Sequence, residues 1–187
     1  MEYVYAIMLA LPLGLVVYSI TFWGGVYRCL CFQEVVKMTI VFAFFQTGMF
    51  WLGSWSGNAF SNSMGWLSIP FAEAIFLFSG IKLIYGAIRL RPEQKTFNLS
   101  KNGELVAVSF ASSMNAFLLG LGIGLLMPVA EIMLYAILAG VVIFAIAGNY
   151  SGKHSGLIFY PKFAGIFGGA VVIALAVILA FDLFNMI

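Results

Sequence analysis

Residues 161–184 read PKFAGIFGGAVVIALAVILAFDLF, an apolar run interrupted only near its ends by Lys162 and Asp182. A helix needs about 20 such residues to cross the hydrocarbon of a bilayer. Windows of about 19 residues give five more spans, near 3–26, 35–58, 66–90, 105–127 and 131–150. Polar or turn-forming stretches separate them: 28–34, 61–63 (Ser61, Asn62, Ser63), 91–103, Pro128 and 151–155. Hydrophobic residues make up 63% of the chain and charged ones 9%, against roughly a quarter charged in soluble domains. Six spans with short connections use up the 187 residues. The fold class is an all-α membrane protein, with no room for a globular catalytic domain.

The cations set the orientation, because cytoplasmic connections keep Lys and Arg during insertion. The first connection carries Arg28 and Lys37, the third Arg89, Arg91, Lys95 and Lys101, and the fifth Lys153 and Lys162. The second and fourth connections and both termini carry none, and only Lys82 falls within a span. This alternation predicts both termini outside the cytoplasm. Glu2 precedes the first apolar run with no basic residue, so that run reads as a spanning helix and not as a cleaved signal. Cys29 and Cys31 form a C-x-C on the expected cytoplasmic side, two ligands where zinc sites gather four. The net charge of +2 does not point to nucleic acid; the expected partners are the lipid bilayer and a small ion or polar solute.

Two marks repeat along the chain. Gly53-Ser54-Trp55-Ser56-Gly57 and Gly148-Asn149-Tyr150-Ser151-Gly152 both read G-x-aromatic-S-G, 95 residues apart. An offset of 94 brings Ser19-Ile20-Thr21-Phe22 onto Ser113-Met114-Asn115-Ala116. The reading is one three-helix repeat over 1–90, a cytoplasmic connection over 91–103 and a second repeat over 104–187. An odd number of spans per unit inverts the second copy, the arrangement of many transporters whose substrate sites lie near the midplane. The alternative is that Gly and Ser recur because small residues let helices pack closely in lipid.

Ionisable groups inside a bilayer are costly and therefore candidates for function. Glu73 and Lys82 share the third span but sit on opposite faces, and Lys82 can carry its ammonium towards the interface. Glu131 and Asp182 fall near outer helix ends. Ser19, Thr21, Ser112, Ser113 and Asn115 place neutral oxygens on the first and fourth spans, and Gln46 adds an amide on the second. They read either as interhelical hydrogen bonds or as the lining of a cavity that binds a cation or polar solute. Gly120, Gly122 and Gly124 suggest close packing or flexibility beyond Asn115, and His154 reads as a solvated loop residue. No Ser-His-Asp set, paired catalytic carboxylates, phosphate-cradling glycine loop or H-E-x-x-H is present, so an enzyme is not expected.

In order along the chain, Phe44-Phe45-Gln46 with Leu52-Gly53 and Gly57, Gly80-Ile81-Lys82-Leu83-Ile84-Tyr85, Ser113-Met114-Asn115-Ala116-Phe117 and Phe167-Gly168-Gly169 resemble motifs of the MntP-type manganese efflux pump family. These are small six-helix bacterial exporters related to the LysE group. The resemblance spans nearly the whole chain. It implies an inner-membrane transporter working by alternating access, with manganese or another divalent cation as cargo and no resident cofactor. The family's motif carries an aspartate in the first helix and another in the fourth, where this chain has Thr21 and Asn115. Carried over by position, Thr21 and Asn115 are the expected metal ligands. Ser19, Ser113, Gln46 and Lys82 complete the expected substrate site. Two outcomes are compatible with the missing carboxylates: a transporter diverged in substrate, or a nontransporting structural or regulatory membrane protein that kept the fold.

Overall fold

The computed structural model describes residues 2–27, 31–89, 101–128, 131–155 and 159–184. Among these the elements are α1 (Glu2–Tyr27), α2 (Phe32–Met64), a 3-10 turn at Gly65–Leu67, α3 (Ser68–Ile88), α4 (Asn102–Leu126), α5 (Glu131–Ser155) and α6 (Phe159–Phe184), with no strand. All six helices are long and apolar enough to cross a membrane. Large apolar side chains such as Phe44, Trp55, Ile81 and Ile143 stand exposed on the outside. In water such a surface would drive association; in lipid it is the solvated face.

Two of the expected connecting stretches are helical, and 151–155 forms the end of α5. The polar stretch at 61–63 lies inside α2, a helix of 33 residues, about 50 Å at 1.5 Å per residue. Serine hydroxyls need not break a helix when carbonyls can take them, and Ser61 donates to the Leu125 carbonyl across to α4 at 2.9 Å. The chain turns instead at Gly65, whose φ of 55° is the left-handed conformation glycine tolerates best. At the other end of α2, the Glu34 carboxylate accepts the Cys31 backbone N–H at 2.9 Å, fixing the first turn. Residues 91–100 of the expected third connection lie outside the described residues.

The most extensive packing joins α1 to α5 and α2 to α4, followed by α3 to α6, with α1–α6 and α3–α4 closing the bundle. Glycines set the closest approaches. A Cβ on Gly53 would collide with the Phe117 carbonyl and one on Gly57 with the Leu121 carbonyl. On the paired helices, Gly148 and Gly152 press on Tyr18 and Phe22. In both pairs the contacts advance together along the chain, so α2 runs parallel to α4 and α5 parallel to α1. Gly80 meets Ile173, Gly169 meets Ile84 and Gly165 meets Ala87, so α3 and α6 are antiparallel. Exchanging α1 with α4, α2 with α5 and α3 with α6 maps this set of neighbours onto itself.

These directions collect the described cations at one end. Lys37 at the start of α2 donates to the Asn102 side chain at the start of α4. Gly25, near the end of α1, lies against the last turns of α5 at Asn149 and Lys153. Arg89 caps α3, its guanidinium donating to the Tyr85 hydroxyl at 2.9 Å, and Lys162 lies in the first turn of α6. Arg28, Arg91 and Lys95 lie outside the described residues.

Candidate functional site

A cavity of about 650 Å³ opens between α1, α3, α4 and α6. Its wall includes Ser19 and Ile20 near the end of α1, Lys82 and Tyr85 on α3, Ser112 and Asn115 on α4 and Gly165 on α6. It therefore occupies the half of the bundle nearer the basic end. Small residues make the space: Gly86, Ala87, Ala107, Ala111 and Gly165 contribute little side-chain volume where four helices meet.

Three of the six expected site residues share this wall: Ser19, Lys82 and Asn115. Ser19 and Asn115 are buried, whereas Lys82 is exposed. The Asn115 Oδ1 is buried with no hydrogen-bond partner among the described residues. Ser112, one turn before Asn115 and on the same face, joins them, its hydroxyl donating to the Ser109 carbonyl at 2.9 Å.

Thr21, Ser113 and Gln46 are not on the cavity wall. Residues two apart on a helix point about 200° apart, so Thr21 and Ser113 face away when Ser19 and Asn115 face in. The Thr21 hydroxyl donates back to the Val17 carbonyl at 3.0 Å, and the side chain presses on Gly148 of α5. Ser113 donates back to the Phe110 carbonyl at 2.8 Å. Thr21 and Asn115, matching marks in sequence, thus have different surroundings in space. Gln46 lies on α2 between Phe45, which meets Phe110 edge-to-face at 6.2 Å, and Phe50, whose carbonyl abuts Gly120. That register places it level with Ser112 to Asn115. It is fully buried, and neither amide atom has a partner among the described residues.

The described acidic residues do not complete a metal site. Among the described residues, no group of three or more His, Cys, Asp or Glu comes together that could hold a metal ion. Glu73 is half-buried and off the cavity wall, and Glu131 is exposed at the start of α5. Cys31 is exposed; Cys29 and the side chain of Asp182 lie outside what is described. His154 sits in the last turn of α5 and not in a loop, with Nδ1 3.0 Å from the Tyr150 carbonyl oxygen. Sequence reasoning offered Ser112 as a possible cavity-lining residue but left it out of the expected substrate site, and did not place Tyr85 or the small residues there. The i, i+3 spacing of Ser112 and Asn115 was the one local signal available for it.

The family model described as "Putative manganese efflux pump" matches residues 29–179. The chain belongs to this family. A "Putative manganese efflux pump MntP" of Crocosphaera subtropica is 30% identical over 186 residues, 98% of each chain. Proteins of the same printed name are 29% identical over 158 residues in Rippkaea orientalis, 81% of each chain, and 31% identical over 134 residues in Methanothermobacter thermautotrophicus, covering 71% of this chain and 70% of that one. No solved structure matches. Within this family, this member is a multi-pass membrane protein with a cavity lined mostly by apolar residues, into which Ser19, Ser112, Asn115, Tyr85 and Lys82 bring polar groups.

Proposed function

We propose that this protein is an efflux transporter that has kept the family's scaffold and moved its cargo away from manganese. The observation that carries the reading is the cavity itself, which reaches Ser19, Lys82 and Asn115 from helices of both chain halves and, among the described residues, has no carboxylate on its wall. A hard dication favours oxygen ligands and above all anionic ones, and a lysine on the same wall repels it.

Alternating access supplies the transport step in this reading. The exchange of helix neighbours between α1–α3 and α4–α6 is what two inverted halves would produce. The cavity lies in one half of the bundle, as a state open towards one side would require. Cations gathered at one end support the cytoplasmic assignment of that end, with both termini outside the cytoplasm of an inner membrane.

Expression in a manganese-sensitive bacterium lacking its own exporter tests the reading. The wild type should leave sensitivity unchanged, and the double substitution Ser19→Asp with Asn115→Asp should confer resistance by placing two anionic ligands on the one cavity wall, which Thr21 does not reach. Wild-type rescue would show that manganese is still exported; rescue that survived Asn115→Ala would also remove this site from the pathway. No rescue by the double variant, with normal amounts of protein in the membrane, would favour the second reading, a nontransporting membrane protein that lost its ion ligands. That reading draws on the same missing carboxylates.

A further inference from the structure

Lys82 is the only charged side chain among the described residues on the cavity wall. Around it stand the Ser19 and Ser112 hydroxyls and the Asn115 amide, while Val16, Ile20, Leu83 and the alanines make the rest apolar. Lys82 is exposed at this wall, so its ammonium can meet an anion entering the cavity, and the apolar surface around it leaves the pair less screened than in bulk water. The Asn115 amide N–H can donate a further hydrogen bond to an oxyanion, whereas the Ser112 O–H is already given to the Ser109 carbonyl. A doubly charged anion would leave its second charge against apolar walls without a partner. A volume of about 650 Å³ falls within the usual range for small-molecule sites and far exceeds what a bare ion occupies.

From this we infer that the cavity binds a small organic monocarboxylate, its carboxylate on Lys82 and Asn115 and its hydrocarbon body against the apolar wall. The inference rests on the transporter reading for its purpose, but not for its binding chemistry. A free acid and the head of a fatty acid share that chemistry.

The test uses the full chain in nanodiscs of zwitterionic phosphatidylcholine, with radiolabelled benzoate in one arm and radiolabelled palmitate in the other. Benzoate should bind the wild type, weaken at least about tenfold in Lys82→Met, and return to within about threefold in Lys82→Arg, as expected for loss and restoration of a charged hydrogen bond. Asn115→Asp, which places a negative charge on the same wall, should also weaken benzoate about tenfold or more. Benzoate binding insensitive to Lys82→Met and to Asn115→Asp, or no benzoate binding, would overturn the inference. Palmitate binding that depends on Lys82 in the absence of benzoate binding would overturn the free-acid assignment. Release from loaded proteoliposomes reads transport separately. Lys82-dependent benzoate binding without release leaves the anion site standing and removes the transporter. Manganese release without benzoate binding keeps the transporter and removes the anion site.

Discussion

At the scale of single residues, helical geometry separates groups that look alike in the sequence. Ser19 and Thr21 share a motif, yet the about 200° between them sends one to the cavity and the other to α5. Gln46 presents the sharpest single-residue question. A buried polar group without a partner costs about 1–3 kcal/mol, so Gln46→Leu is expected to leave stability unchanged or raise it by about 1 kcal/mol. Denaturant unfolding of detergent-solubilised protein measures this. A loss of more than about 1 kcal/mol would mean that the amide is satisfied in the folded protein, by water or by cargo.

At the scale of elements, the parallel pairs α1–α5 and α2–α4 are held by glycines facing carbonyls. A Cβ at Gly53 meets backbone at Phe117, which cannot swing aside as a side-chain tip can. Gly53→Ala should therefore destabilise by about 1–3 kcal/mol, the usual cost of overpacking, although alanine is the better helix former. Gly48→Ala on the same helix has open space around it and should be neutral or slightly stabilising. Equal effects of the two substitutions on the thermal midpoint would contradict the close α2–α4 approach. The same contacts show how the G-x-x-x-G marks work in the fold: they are where helices touch, whichever account of their recurrence holds.

At the scale of the whole molecule, six spans of alternating direction bring Lys37, Arg89, Lys101, Lys153 and Lys162 to one end. Single cysteines in place of Lys101 and Lys153, after replacement of Cys29 and Cys31, should react with a membrane-impermeant maleimide only when the cytoplasmic face is exposed. A cysteine replacing Trp66, beside the turn at the far end, should react from outside in intact cells. Labelling of the Lys153 position from outside would reverse the orientation and with it the side towards which the cavity lies.

Much of this was legible along the chain. The number of spans followed from hydropathy, because lipid demands an apolar run of fixed length wherever a helix crosses. Two boundaries, at 61–63 and 151–155, were misplaced because polarity was read as a break, whereas α2 accommodates Ser61 through a carbonyl of α4 that only the fold supplies and Ser151 donates to the Ala147 carbonyl within α5. For the site, residue types were legible and their grouping was not. Which face of α1 or α4 turns inward depends on which helix packs against it, and helices that are apolar nearly all round carry little periodic signal of facing. The sequence by itself determined a lipid-embedded six-helix chain with its cations sorted to one side, since those follow from the cost of moving charge and backbone into hydrocarbon. Only the tertiary structure decided that Ser19, Lys82, Ser112 and Asn115 share one cavity while Thr21 and Ser113 turn away. Proximity between helices is set by side-chain packing, which no local pattern records.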